Sequence, residues 1–394
     1  MKRIKSDKII VGEQLFSGYV YFEGGNQSEC EENARGKITA VTTEELPYDV
    51  EYDRRGYYVA PGFIDMHTHG GAGHEFFGSA QDMVQGCNFH LAHGTTSICP
   101  TISAAPFEVM ERSVTEVKKA MTDPALKANI IGLHMEGPYL SAEQCGAQCP
   151  DFITPPIPEQ YEKLIEKAED VIARWTYAPE NDADGTFCKF LTDHGVIASA
   201  GHTNAKYDIM QLAAKNGCNL VTHLYSCTST ITREFGFRKL GVIESAYLND
   251  DMYVEIIADG RHLPPELIRL ILKIKGTDRV ALCTDSLALA GTGVTEGITL
   301  NVPFIIEDGV CKLKDRSAFA GSIATTDVLV RVMTREVGVS MIESVKMLTK
   351  VPAEILGLNK GILAKDRDGD IVVFDEDVVM QDVFALGEKF TGNC

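Results

Sequence analysis

Tyr58-Val59-Ala60-Pro61-Gly62-Phe63-Ile64-Asp65 leads into His67-Thr68-His69, an apolar run that ends in a polar tip. The pattern recurs. Asn129-Ile130-Ile131-Gly132-Leu133 precedes Glu136, Val196-Ile197-Ala198-Ser199-Ala200 precedes His202, and Leu220-Val221-Thr222 precedes His223. Val280-Ala281-Leu282-Cys283 precedes Thr284-Asp285. Runs of apolar and β-branched residues bounded in this way read as strands, and the polar tips as their C-terminal ends. Polar residues at the C-terminal tips of successive strands are what an α/β fold of the (β/α)8 TIM-like barrel type presents at its mouth.

Working outward, strands are expected near 59–66, 95–101, 129–135, 171–178, 196–201, 218–223, 252–258 and 279–284. Helices are expected near 78–93, 106–121, 159–168, 185–194, 205–216, 264–274 and 324–338. Eight strands alternating with helices imply a closed parallel barrel more readily than an open sheet. Residues 294–318 break the rhythm with a hairpin turning at Glu307-Asp308-Gly309.

Both ends of the chain read differently. Lys8-Ile9-Ile10-Val11, Gly18-Tyr19-Val20-Tyr21-Phe22 and Lys37-Ile38-Thr39-Ala40-Val41 are β-like pieces split by Gly24-Gly25 and polar turns. Gly361-Ile362-Leu363 and Asp370-Ile371-Val372-Val373-Phe374-Asp375 are β-like again. The expected organisation is a barrel over 59–357 beside a small β-sandwich built from 1–58 and 358–394.

At 394 residues the chain has room for a barrel of roughly 250 residues and a smaller unit. Its 44% hydrophobic and 24% charged content is ordinary for a globular protein. No stretch approaches the ~20 apolar residues of a membrane span, and Met1-Lys2-Arg3-Ile4-Lys5 opens no signal-peptide core. A net charge of −19 argues against nucleic acid as a partner and would repel a phosphorylated ligand unless local cations offset it. The eleven cysteines form no CxxC pair, and Cys87, Cys99, Cys218 and Cys283 sit in apolar runs as small core residues. A reducing cytoplasm is the expected setting.

The polar tips carry the chemistry. His67 and His69 are two apart, and a strand repeats its facing every second residue, so both imidazoles point to one side. Glu136 stands before the turn-forming Gly137-Pro138, while His202 and His223 close the fifth and sixth strands. Any one of these alone reads as a packed or solvated polar residue. Together, Glu136, His202 and His223 can hold one divalent ion with a coordination position left for water. Asp285, at the end of the eighth strand, can accept a proton from that water and pass it on. The fourth strand, Val171-Ile172-Ala173-Arg174-Trp175-Thr176-Tyr177-Ala178, has no lysine to be carboxylated as a bridging ligand, which leaves the anionic role to Glu136.

These residues resemble the amidohydrolase superfamily, and within it the deacetylases of N-acetylglucosamine 6-phosphate. The likeness runs through Pro61-Gly62-Phe63-Ile64-Asp65, His134-Met135-Glu136-Gly137-Pro138, Gly201-His202-Thr203 and Thr222-His223-Leu224-Tyr225. It continues in Asp259-Gly260-Arg261-His262, Thr284-Asp285 and Ala320-Gly321-Ser322. The resemblance implies metal-dependent hydrolysis of an N-acetyl amino-sugar phosphate in amino-sugar catabolism. It implies Glu136, His202 and His223 as principal metal ligands, His67 and His69 as ligands of a second ion in some members, and Asp285 as catalytic acid and base. It further implies sugar or phosphate contacts from Ala147, Gln148, Ser226, Cys227, His262, Phe319, Ala320 and Gly321. Arg233 would bind phosphate, in its own chain or reaching in from a partner subunit of a homodimer or larger homo-oligomer. Zinc is the implied metal, with iron, manganese or cobalt as alternatives and one or two ions per chain.

Two departures bear on the sugar. Gln148 stands where some members place a histidine, and Ser226-Cys227 follow Tyr225 where Asn-Ala is usual. N-acetylgalactosamine 6-phosphate or another N-acyl substrate is therefore the rival reading, and a non-enzymatic scaffold a more distant one.

Overall fold

The computed structural model describes residues 1–24, 36–299 and 302–392, so Gly25 of the expected Gly24-Gly25 break lies outside them. Eight parallel strands form the barrel: Phe63–Thr68, Thr95–Ile102, Leu133–Glu136, Ile172–Tyr177, Ile197–Ala200, Leu220–Val221, Tyr253–Ile257 and Val280–Cys283. They pair in that order. Backbone bonds just beyond the eighth strand close the ring onto the first: Asp285 N–H donates to His67 O at 2.9 Å and His69 N–H to Ser286 O at 2.7 Å. Closure thus sets Asp285 beside the His67-Thr68-His69 tip.

Two expected strands are divided, each at a glycine. Tyr58–Pro61 and Phe63–Thr68 separate at Gly62, where a Cβ would fall 2.1 Å from Thr96 Oγ1. Asn129–Ile130 and Leu133–Glu136 separate at Gly132, whose φ of +135° suits glycine and whose Cβ would meet Ala173 Cβ at 2.5 Å.

Tyr58–Pro61 belongs to a second sheet. It pairs antiparallel with Ile371–Phe374 and parallel with Lys2–Val11, so segments from both chain ends share one eight-stranded sheet. Alternate residues of these strands (Ile4, Val20, Phe22, Val59, Ile371, Val373 and Phe384) bury on one side, as a two-residue period requires. Gly361-Ile362-Leu363, expected to be β-like, instead forms a bend, with Leu363 buried against that sheet.

The helices shield the barrel through one apolar face each. Phe107–Met121 buries Met110, Val114, Val117 and Ala120 at helical spacing, and the single tryptophan, Trp175, stacks on Tyr139 at 5.7 Å inside this layer. A seven-residue helix, Val242–Leu248, was not expected from the sequence, being too short to show clear periodicity. The expected hairpin at 294–318 is a three-stranded antiparallel sheet, Glu296–Thr299, Val302–Glu307 and Val310–Leu313, turning at Asp308-Gly309. Its residues Gly297, Ile298, Val302 and Phe304 overhang the barrel mouth.

Candidate metal centre and active site

Six side chains meet at the C-terminal mouth of the barrel. Glu136 Oε1 lies 3.2 Å from His202 Nε2 and 3.0 Å from His223 Nε2, and those two nitrogens are 3.2 Å apart. On the other side, His67 Nε2 is 3.4 Å from Glu136 Oε1 and His69 Nε2 is 3.4 Å from Glu136 Oε2. Asp285 Oδ1 faces the same pair, 3.1 Å from His69 Nε2 and 3.5 Å from His67 Nε2. Glu136 is therefore the shared wall between a His202–His223 set and a His67–His69–Asp285 set.

Several of these groups are set by unusual backbone. His202, His223 and Asp285 take φ values of +45°, +27° and +47°. Left-handed conformations cost about 1–3 kcal/mol for residues other than glycine, and such strain concentrates at functional sites. Three of the four imidazoles are also aimed from behind, whereas the buried His223 Nδ1 makes no hydrogen bond. His202 Nδ1 donates to Gln144 O at 2.9 Å, His69 Nδ1 meets Ser103 Oγ at 3.1 Å, and His67 Nδ1 meets Glu255 Oε1 at 2.8 Å. His67 Nε2 is buried and makes no hydrogen bond.

The electrostatics favour a cation here. Burial opposes charge at every member, yet the carboxylates of Glu136, Asp285 and Glu255 raise His67 to about 10. Asp285 and Glu136 likewise overcome burial to raise His69 to about 9. Burial pushes Glu136 and Asp285 upward, and His67 with its neighbours holds both below the usual carboxylate range. Of the four imidazoles that meet here, His223 is the one lowered, and burial is the cause.

The donor set fits a divalent metal. Nitrogen and oxygen ligands at roughly 2.0–2.2 Å from a tetrahedral ion stand roughly 3.3–3.6 Å from one another. The observed separations of 3.0–3.5 Å are close to that spacing. The orphaned His67 Nε2 is the kind of buried atom that a metal would satisfy.

Above these groups opens a cavity of about 640 Å³. His69, Glu136, His202, His223 and Asp285 line it, whereas His67 lies beneath, fully buried. Of the residues expected at the sugar, Ala147, Gln148, Ser226, Cys227, His262, Phe319, Ala320 and Gly321 line the same cavity. Gln148 does more than border it: its Nε2 donates to Glu136 Oε2 at 2.7 Å and its Oε1 accepts from Ala104 N–H at 2.9 Å. His262 packs edge-on to Phe319 at 5.0 Å, with its Nδ1 held by Asp259 Oδ2 at 2.8 Å.

Arg233 is placed elsewhere. It lies exposed on a hairpin of Thr232–Glu234 and Phe237–Lys239 and does not line its own chain's cavity. Among the described residues, no lysine or arginine lines that cavity.

The sequence reading passed over Arg174 and Glu255. Both are fully buried inside the barrel, and each is a charged residue inside an apolar strand run. That clash with the surrounding pattern was the available signal.

A parallel barrel with carboxylate and imidazole donors gathered at its C-terminal mouth defines a metal-dependent hydrolase. Residues 58–391 match the model of the amidohydrolase family. The chain belongs to that family and, within it, to the N-acetylglucosamine-6-phosphate deacetylases. The enzyme of that name from Lysinibacillus sphaericus is 31% identical over 89% of this chain and 90% of its own length. The Bacillus subtilis enzyme is 32% identical over 87% of each. Among solved structures, the enzyme from Pasteurella multocida superposes with a TM-score of 0.90 at 28% identity, covering 99% of this chain and 100% of its own. A mutant from Mycobacterium smegmatis in complex with N-acetyl-D-glucosamine-6-phosphate gives 0.88 at 27% identity over 98% of each chain.

Proposed function

We propose that this chain removes the acetyl group of N-acetylglucosamine 6-phosphate, giving glucosamine 6-phosphate and acetate. The observation that carries the reading is the meeting of Glu136, His202 and His223 within 3.2 Å of one another, in reach of a cavity that Asp285 also lines.

Glu136, His202 and His223 would hold the principal ion, and His67 and His69 can hold a second beside Asp285. Zinc suits this nitrogen and oxygen set, as do iron, manganese and cobalt. When bound, the ion supplies Lewis acidity that brings the pKa of water down toward ~7 and polarises the acetamide carbonyl. Asp285 takes the proton of the attacking water on its carboxylate and returns it to the departing amine nitrogen. Gln148, bound to Glu136, keeps that carboxylate in place beside the sugar. His262, oriented by Asp259, offers its ring to the hydroxyls or phosphate. The overhanging Ile298, Val302 and Phe304 limit water around the reacting amide.

The phosphate needs a cation, and among the described residues no lysine or arginine of the chain's own cavity provides one. Arg233, carried out on an exposed hairpin, is the residue assigned to it from a second copy in a homodimer or larger homo-oligomer. Exposed Phe235 and Phe237 on the same hairpin suit contact with that copy. The nine described cysteines are all unpaired, which fits a reducing cytoplasm.

Acetate release should be measured from N-acetylglucosamine 6-phosphate, its galacto epimer and unphosphorylated N-acetylglucosamine, with and without chelator. The expected result is chelator-sensitive release that is fastest with the gluco 6-phosphate. Equal turnover of the free sugar would remove the phosphate assignment, and preference for the epimer would replace the sugar.

A further inference from the structure

We propose that Glu255 and Arg174 are positioning residues that lock His67 with its Nε2 turned to the metal. The inference rests on the reading of His67 as a ligand. His67 Nδ1–H donates to Glu255 Oε1 at 2.8 Å, leaving Nε2 buried, unbonded and 3.4 Å from Glu136 Oε1. Glu255 could not hold that ring if it were free to turn. Its other oxygen, Oε2, is bound by Arg174 Nη1.

Arg174 is in turn tied to two further strands and to the residue that follows a third. Its Nε donates to Ser199 Oγ at 3.0 Å, Nη1 to Met66 O at 3.2 Å and Nη2 to Thr222 Oγ1 at 2.8 Å. Met66 and Thr222 each neighbour a proposed ligand in sequence, so one guanidinium references the tips bearing His67 and His223 to each other. The planar, forked donor geometry of arginine suits this task, whereas a lysine would supply a single unshaped charge.

A buried ion pair is weak as a stabilising device, because desolvation offsets most of its attraction. Here the pair sits fully buried within the barrel, directly beneath the mouth. Carboxylates that accept the second ring N–H of a ligating histidine fix its tautomer and orientation, and losing them lowers metal affinity about 10- to 100-fold. The arrangement Arg174–Glu255–His67 has that form, with the arginine as a further anchor.

The test is zinc affinity, measured by competition with a chromophoric chelator on the full-length protein, for wild type, H67N, E255Q and H67N/E255Q. Wild type should bind more tightly than H67N. E255Q should lose about 10- to 100-fold at the His67 ion while keeping the ion held by Glu136, His202 and His223. The double variant should bind no more weakly than H67N alone, which a merely structural role would not produce. Should E255Q not fold, R174M/E255L removes both charges together and should show the same affinity loss. Unchanged affinity in E255Q, or fully additive losses in the double variant, would overturn the positioning role. Identical zinc binding by wild type and H67N would instead overturn the reading of His67 as a ligand, and the inference with it.

Discussion

Asp285 Oδ1 lies 3.1 Å from His69 Nε2, so the proposed proton carrier abuts the second imidazole pair while still lining the cavity. The contact follows from barrel closure, since Asp285 N–H bonds to His67 O and brings the eighth strand's tip against the first. A carboxylate held this way can reach both an ion and a substrate amide without moving its backbone.

Replacing Asp285 by Asn keeps the shape and removes the proton acceptor. Turnover should fall about 10²- to 10⁴-fold, with KM much less affected. Steady-state kinetics beside metal analysis of the same sample checks this. An Asn variant that keeps its metal and its full turnover removes the proton-transfer role.

Arg233→Ala should raise KM for the 6-phosphate substrate. A charge-assisted contact contributes about 1.5–3 kcal/mol, or roughly a 10- to 150-fold change in kcat/KM. Mixing this variant with an Asp285→Asn variant tests the partner assignment, because one hybrid site would then carry both intact residues. Recovery of activity on mixing is expected, and its absence under subunit exchange argues for action within one chain.

Above neutral pH, His67 and His69 contribute to the pH response of the metal-free protein, raised against the effect of burial to about 10 and about 9 by their carboxylate neighbours from an ordinary value near 6.5, and His202 is raised as well. Folded values above the unfolded ones mean that protonation stabilises the folded state. That contribution is full below about pH 6.5 and is lost as pH rises through 9 to 10. Thermal melts of chelator-treated protein should therefore fall across this window, and zinc addition near pH 7.5 should release protons. A flat profile with no proton release would contradict the charge state assigned to these rings.

Asp65 ties the first strand to the eighth through Thr284 Oγ1 at 2.6 Å, and it is buried with its carboxyl pushed up to about 7 by that burial. Asp65→Ala leaves Thr284 and two backbone N–H groups without their acceptor. Destabilisation of about 2–4 kcal/mol is expected, read by urea unfolding with Trp175 fluorescence as the signal.

Much of this architecture was legible because hydrophobic runs ending in His, Glu or Asp are local features. His67, His69, Glu136, His202, His223 and Asp285 each announce themselves at a strand tip, and the structure gathers all six. Arg174 and Glu255 were not legible in the same way. Their partners lie in other strands, at separations of 81 residues from each other and 188 between Glu255 and His67. No local pattern encodes such a pairing. The need for glycine at 62 and 132 was hidden for a related reason, since the residues that crowd them, Thr96 and Ala173, are distant in the chain. Arg233 reads as a phosphate ligand by resemblance, yet it lies exposed on a hairpin and does not line its own chain's cavity.

The central claim is tested most directly by stripping the protein of metal, then adding zinc back while following acetate release from N-acetylglucosamine 6-phosphate in wild type and Glu136→Gln. Activity should vanish with the metal, return in step with bound zinc in wild type, and stay absent in Glu136→Gln. Full activity in a sample shown to be metal-free, or recovery of Glu136→Gln alongside wild type, would contradict the account.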